Sequence, residues 1–600
     1  MFGYHGRYLR IDLERHAADR VPLAEDVLRR FLGGAGLATY LLHREAPAGV
    51  EPLAPAAPLV FCLSPLVGTP LTTSAKFAVA AKSPLTERLN DALSSSHFAL
   101  AAKRAGFDAL VLTGACANWS LLAIDDDRIE FRPADDLVGL SAAEANARML
   151  DQWGPRFHTA CIGPAGEKLV RFATISHENR HAGRGGLGAV LGAKRLKAVA
   201  VAGSQRIAVA DPAAVVAAAK DLSQRSFGPA TAKYRELGTV ANLLTFNRFA
   251  ALPTRNFQQG TFEHAAALAG EELQAARRVA RRSCAACTIG CEHIYEAPTG
   301  EVRLEYESLF ALGPLCGIGD RDAVLAAARA CDRWGLDTIS TGATIAFAME
   351  CGERGLLRED GLRFGNADMA LSLLERIGRR EGLGDLLAEG TRRAAAVIGG
   401  DAPDFAPHVK GLEIPGYEPR SLQTMALGFA VGSRGADHNR SGAYEIDFSA
   451  RADRQHGSPE AAALAVETED RAALLDSLIL CKFLRGVFDD LYAESAALLR
   501  PVTGWDVTAD ELRLAARRIV TAKKLYNLRE GWTPAEDTLP KRFLSEGLAE
   551  GGALPRERLQ AMIQAYYAAR GWDREGQVPR DLVERLGLTD LNATLWSRMA

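Results

Sequence analysis

Three cysteines lie within eight residues in Arg281-Arg282-Ser283-Cys284-Ala285-Ala286-Cys287-Thr288-Ile289-Gly290-Cys291, and this cluster constrains the fold more than any other feature. The spacing C-x2-C-x3-C lets three thiolates converge on one centre, with Gly290 helping the loop turn back on itself. Four cysteine thiolates are the usual ligands of a [4Fe–4S] cluster, so a fourth must come from elsewhere. Cys481, in Asp476-Ser477-Leu478-Ile479-Leu480-Cys481, is the best candidate. A zinc site can also use four cysteines, although its usual signature is two separate C-x2-C pairs. Radical S-adenosylmethionine enzymes carry the reverse spacing. The bland alternative is three thiols packed as small apolar residues. Cys62, Cys116, Cys161, Cys316, Cys331 and Cys351 have no ligand spacing and are expected in the core.

At 600 residues the chain exceeds one ordinary core, and at roughly 150 residues per domain it predicts three or four. With 48% hydrophobic and 24% charged residues, disorder, collagen-like repeats and coiled coil are excluded. Its 71 basic and 74 acidic residues give a net charge of −3, so no strong field favours nucleic acid. Arg29-Arg30-Phe31-Leu32 imitates a twin-arginine signal, but Asp12, Glu14, Asp19, Glu25 and Asp26 contradict a basic leader; the stretch reads as a folded helix. No apolar run reaches the roughly 18–20 residues of a membrane span, and a cytoplasmic protein is expected.

The predicted fold class is α+β. Apolar runs at Leu59–Leu63, Phe77–Ala81, Ala109–Thr113, Leu121–Ile124 and Ala198–Ala202 read as strands. After Asp211-Pro212 the pattern turns helical, as in Ala213–Ser226, Arg321–Trp334 and Ala370–Arg380, with breaks at Gly411–Pro419 and Pro501–Trp505. The expected division is a β-rich domain over 1–210 and two mainly helical domains over 211–415 and 416–600. Asp125-Asp126-Asp127 reads as a hairpin turn.

Several polar motifs have two readings each. Arg180-His181-Ala182-Gly183-Arg184-Gly185-Gly186 leads into an apolar helix, which makes a phosphate cradle or a tight turn packed on a sheet. Asp332 and Asp337, around Gly335, can accept hydrogen bonds from a heterocycle or cap helices. Glu307 opens an apolar helix, where an acidic residue also suits the helix dipole. His438 lies in a polar loop as a catalytic group or a surface histidine.

Taken together, these motifs resemble the tungsten-containing aldehyde:ferredoxin oxidoreductases over essentially the whole chain, suggesting a divergent, bacterial-type member. Further stretches carry the likeness: Gly6-Arg7-Tyr8-Leu9-Arg10, Lys82-Ser83-Pro84-Leu85-Thr86, Ile162-Gly163-Pro164-Ala165-Gly166-Glu167, Gly335–Ser340, Asp537–Phe543 and Tyr566-Tyr567. The resemblance implies an N-terminal β-rich base for a tungsten (or molybdenum) bis-pyranopterin, covered by two helical domains. A Mg2+ ion between the pterin phosphates is a further implication. Cys284, Cys287, Cys291 and Cys481 would hold a [4Fe–4S] cluster. Asp332 and Asp337 match one pterin-binding turn, Asp476 and Leu480 its counterpart. Arg180, Arg184 and Gly185 fall at the cofactor phosphates, and Arg440 replaces a pterin-contacting lysine. Glu307 matches the general base and His438 the residue that hydrogen-bonds the carbonyl oxygen.

The implied reaction is aldehyde plus water to carboxylic acid, reversible in principle, with electrons leaving to a ferredoxin or ferredoxin-like subunit. Alternatives are reduction of a non-aldehyde substrate such as an aromatic ring, and an electron-transfer or assembly protein that has lost its pterin. The sequence departs from the family at several points. Lys76 stands for a phosphate-binding arginine, Leu93-Ser94-Ser95-Ser96 for an Asn-Ser-Gly-Gly segment at the cofactor, and Ile479 for a glycine. Ala326 and Arg329 replace a Glu-x2-His motif, so any oligomer is expected to lack the subunit-bridging metal.

Overall fold

In the computed structural model, which describes residues 1–591, the apolar runs of the first 200 residues become strands of two six-stranded sheets. The first contains β1 (Arg7–Asp12), β2 (Ala17–Pro22), β3 (Leu59–Cys62), β4 (Lys76–Lys82), β5 (Leu89–Ser95) and β6 (Ala109–Thr113), in the order β2-β1-β6-β3-β4-β5. The second contains β7 (Ser120–Asp125), β8 (Arg128–Pro133), β9 (His158–Ile162), β10 (Ile175–His177), β11 (Arg180–Ala182) and β12 (Leu196–Ala202), in the order β11-β10-β9-β12-β7-β8. Asp126 makes the β7–β8 turn with a positive φ of 51°.

Successive side chains of a strand face opposite ways, and here both faces are apolar. Leu59, Phe61, Phe77, Val79, Leu110 and Leu112 pack towards Leu122, Ile162 and Val199 of the second sheet. Val60, Cys62, Ala78, Ala80, Ala109 and Val111 join the larger core instead, with Leu37, Leu41 and the helical remainder of the chain. The first sheet is therefore sandwiched between the second sheet and the helices, which explains its near-continuous apolar runs.

After residue 210 helices dominate, including Pro212–Ser226, Arg321–Trp334, Thr338–Glu353, Ala461–Leu478 and Ala509–Arg529. Three local readings change. A small sheet of β13 (Arg278–Arg282), β14 (Glu292–Ala297) and β15 (Gly300–Arg303) interrupts the helices, and the cysteine loop joins β13 to β14. The helix begun at Glu25 stops at Phe31 and resumes at Gly34, because Leu32 takes a positive φ of 62°. Pro501 lies inside the helix Leu491–Thr503, and the break starts at Gly504. Among the described residues no helix is long and apolar enough to cross a membrane.

The stretch Asp537–Phe543 is structural. Asp537 is buried with Lys410 at 2.8 Å and the Tyr567 hydroxyl at 2.6 Å. Arg542 is buried against Glu350 and donates to the Asn256 carbonyl at 2.8 Å.

Candidate functional site

The four nominated cysteines converge. Thr73 joins their two segments: its N–H donates to Ala286 O at 2.6 Å, and its Oγ1 accepts the Cys481 N–H at 3.2 Å. The Thr72 hydroxyl adds a second tie, to Thr288 Oγ1 at 2.8 Å. The sulfurs are close enough to act on one another. Burial first, then Cys481 and Cys284, push the Cys287 thiol up to about 11. Among the described residues, however, no three of these sulfurs lie within 4.8 Å of one another. A single tetrahedral zinc with bonds of about 2.3 Å would hold sulfurs about 3.8 Å apart. The six remaining cysteines are buried.

Cys481 also lines a cavity of about 380 Å3 between the first sheet and the helices, a volume in the range of ligand sites. Lys76 and Leu93 come from β4 and β5, Gly183 and Arg184 from the glycine loop. The helical side contributes Glu307, Asp332, Asp337, His438 and Arg440, and the segment Asp476–Phe483 contributes Asp476, Leu480, Cys481 and Lys482. An adjoining cavity of about 530 Å3 shares His181, Arg303 and Asp332 with it.

Each wall carboxylate is held by its neighbours. Asp337 caps the helix Thr338–Glu353, accepting from Ile339 N and Ser340 N, and also meets Arg184 Nε at 3.3 Å. Its capping role is thus real and does not remove it from the cavity. Asp332 precedes left-handed Gly335 and faces His181 Nε2 at 3.1 Å. Asp476 lies 3.1 Å from Arg440 and 3.3 Å from Lys482. The Lys76 ammonium sits between the two centres. Burial opposes its charge, but Cys481, Cys284, Cys287 and Asp476 together hold its pKa above the ordinary lysine value.

Glu307 and His438 face each other, with Oε1 and Nε2 3.5 Å apart. Both are positioned by Gly416-Tyr417. The Gly416 N–H donates to Glu307 Oε2 at 3.0 Å, the Tyr306 hydroxyl donates to Gly416 O at 2.5 Å, and Tyr417 stacks on the His438 ring at 4.7 Å. A Cβ on Gly416 would come 2.8 Å from Tyr306, so the close approach requires glycine. Burial is the main force lifting the Glu307 pKa to about 8, against the Gly416 hydrogen bond and Arg184, and with help from Asp437 and Asp337. Burial likewise lowers His438 to about 3, so its ring is neutral at pH 7. It is not a surface histidine: it opens the short helix His438–Ser441 and is 8% exposed. Glu307 Oε1, His438 Nδ1 and Arg434 Nε, all on wall residues, are buried without a hydrogen-bond partner, an arrangement that suits a wall built to receive a polar ligand.

Besides the three clustered cysteines, three nominated cofactor-binding residues stand off the cavity wall. The Ser95 hydroxyl donates to Ala75 O at 3.1 Å. Arg180 pairs with Glu292 at 2.6 Å and is influenced by Cys284 and Cys291, so it serves the cysteine side. Gly185 has φ +82°, and a Cβ there would lie 2.2 Å from Asn90 Oδ1; of its two readings, the tight turn packed on the sheet describes its local role. Gly185→Ala is therefore expected to cost about 2–4 kcal/mol through backbone strain and overpacking. An unchanged thermal unfolding temperature would refute this. Gly183 is the loop glycine that lines the cavity.

Other residues at the wall have no role assigned by the sequence, although Arg434 and Asp437 share the polar loop of His438. Arg434 pairs with the buried Asp437, which lies 3.7 Å from Arg184. Asp91, behind the wall, is held well below the usual carboxylate range: Arg440, Lys523 and Arg434 overcome the opposing effect of burial. The altered 93–96 segment presents Leu93 to the cavity, and Ser96 caps the helix His97–Arg104. Ile479 adopts the left-handed backbone (φ 61°) that favours glycine.

The sequence matches the description "Aldehyde ferredoxin oxidoreductase, N-terminal domain" over residues 8–203 and "Aldehyde ferredoxin oxidoreductase, domains 2 & 3" over residues 216–588. It is 38% identical to a tungsten-containing aldehyde ferredoxin oxidoreductase of Thermococcus kodakarensis, across 98% of this chain and 100% of that protein. The identity to the protein of the same description from Pyrococcus furiosus is 37%, with the same coverage. A solved structure, the active site complex BamBC of benzoyl coenzyme A reductase with 1,5 dienoyl-CoA, has the same fold: TM-score 0.86, 23% identity, covering 100% of this chain and 99% of that one. Motifs, fold and whole-length similarity agree, and the chain is a member of the aldehyde ferredoxin oxidoreductase family.

Proposed function

We propose that this chain oxidises aldehydes to carboxylic acids, RCHO + H2O giving RCOOH, two protons and two electrons, and passes the electrons to a ferredoxin-type acceptor. The observation that carries this reading is the double membership of Cys481, which belongs to the cysteine centre and to the wall of the cavity holding Glu307 and His438. Electrons released in that cavity have a short exit. The chemistry supplied by the bound groups is two-electron redox at a tungsten (or molybdenum) bis-pyranopterin and one-electron transfer at a [4Fe–4S] cluster.

The residues present fit those groups. Cys284, Cys287, Cys291 and Cys481 would hold the cluster, and their spread supports a cluster over a single zinc. Asp332, Asp337 and Asp476 are acceptors for heterocycle N–H groups, Lys76 and Arg184 are cations for phosphate, and Arg440 is the cation facing the pterin. Arg180 would act from the cysteine side. A Mg2+ ion between phosphates rests on the resemblance alone. Glu307 takes the proton of the attacking water, a role that suits a base tuned close to neutrality. Neutral His438 donates a hydrogen bond to the substrate carbonyl oxygen as negative charge develops there. The six cysteines outside the cluster set are buried and unpaired by disulfides, which suits the reducing, cytoplasmic setting proposed here.

The test is metal analysis of protein purified without oxygen from a host that makes the pterin, followed by aldehyde-dependent dye reduction. About one tungsten or molybdenum and about four iron atoms per chain are expected. Iron without either heavier metal would overturn the reading in favour of an electron-transfer protein.

A further inference from the structure

The cysteine loop adjoins a surface that combines exposed arginines with exposed apolar side chains. β13, which leads into Cys284, is an outer strand with one unpaired edge, and Arg278, Val279, Arg281 and Arg282 on it are all exposed. Phe227 is 58% exposed and Val279 51%, high values for large apolar side chains. Phe227 borders the loop, because its neighbour Ser226 hydrogen-bonds Thr288 Oγ1 at 2.6 Å. The Arg235 guanidinium lies 4.4 Å over the Phe227 ring, and Arg281 reaches the Arg235 carbonyl at 3.4 Å. Among the described residues Arg235, Arg278 and Arg281 have no ion-pair partner, and Arg282 has only Glu301 at 3.8 Å. In a chain of net charge −3 this is a local cluster of four arginines, three of them without an ion-pair partner among the described residues, with Glu236, Glu296 and Glu301 as the exposed acidic residues of the same elements.

We propose that this patch is the docking surface for a small acidic ferredoxin that diffuses to the protein and collects its electrons. The inference rests on the reading that the four cysteines hold a redox cluster. Electron transfer slows steeply with distance, so a carrier must sit over the half-buried Cys284 and Cys287. Exposed Phe227 and Val279 supply apolar anchors, and the arginines supply a rim that speeds encounter with an acidic partner. Arginines on a free strand edge also guard against edge-to-edge pairing. Reversing their sign separates the two roles, since glutamates would guard the edge equally well.

The experiment compares holoenzyme with the Arg278→Glu/Arg281→Glu variant, using benzyl viologen or an acidic bacterial two-cluster ferredoxin as acceptor over a range of NaCl concentrations. The viologen rate and iron content are expected to stay unchanged. The ferredoxin kcat/KM is expected to fall roughly 10-fold or more at low salt, and the steep salt dependence of the unmodified enzyme should flatten. An unchanged ferredoxin rate with unchanged salt dependence would overturn the proposal. Calorimetric titration with oxidised ferredoxin reads the surface without any substrate: binding lost in the variant supports it, and binding retained refutes it. Absence of viologen-linked aldehyde oxidation in the unmodified enzyme would instead count against the proposed function.

Discussion

Glu307→Gln is expected to lower aldehyde turnover by roughly 10²- to 10⁴-fold while leaving tungsten and iron in place. The amide keeps the size of the side chain and an oxygen to accept the Gly416 N–H, now 3.0 Å from Oε2. What it loses is the ability to take a proton. The pH profile makes the test specific. The reactive form is the carboxylate, and burial raises its pKa to about 8, so the rate should climb as pH rises towards 8 and level off above it. In the glutamine variant that limb should vanish. Full activity in the variant, or a rate that falls as pH rises through this range, would remove Glu307 from the role of base.

Cys481→Ala is expected to deplete cluster iron and abolish electron delivery to any external acceptor. The main-chain N–H of residue 481 donates to Thr73 Oγ1, a bond that alanine preserves, so the turn should persist without its thiolate. Iron analysis and low-temperature paramagnetic resonance of the reduced protein provide the readout. Undiminished iron with an unaltered spectrum would exclude Cys481 as the fourth ligand.

The parts legible in the sequence are those where local pattern and tertiary role coincide. Ala109–Thr113 is a strand in both, since a strand buried on two faces needs a continuous apolar run. Arg321–Trp334 is a helix in both, ended by Gly335 in the left-handed conformation. β13 was not legible: Arg278-Val279-Ala280-Arg281-Arg282 has no buried face, and its extended form comes from pairing with β14. The site divides similarly. Cysteine spacing and the turn around Gly335 announce themselves, whereas the local pair Arg434–Asp437 meets Asp91 and Arg184 only through the fold. Gly411–Pro419 reads as a simple break, yet Gly416 and Tyr417 position Glu307 and His438. Such a contact leaves no periodic trace.

The tie made by Thr73 between the 284–291 loop and Cys481 has a consequence for biosynthesis. Cys481 leaves the ribosome 190 residues after Cys291, a delay of roughly 10–40 s at 5–20 residues per second. Through that interval the nascent chain holds three of the four nominated ligand thiols and still lacks Cys481. A complete four-sulfur nest exists only once the helix Ala461–Leu478 has docked and carried the turn after it into place. If these four sulfurs hold the proposed cluster, iron delivery is a late event acting on an almost finished chain, and a translation product halted before residue 481 would carry the recognisable cysteine motif without being able to mature.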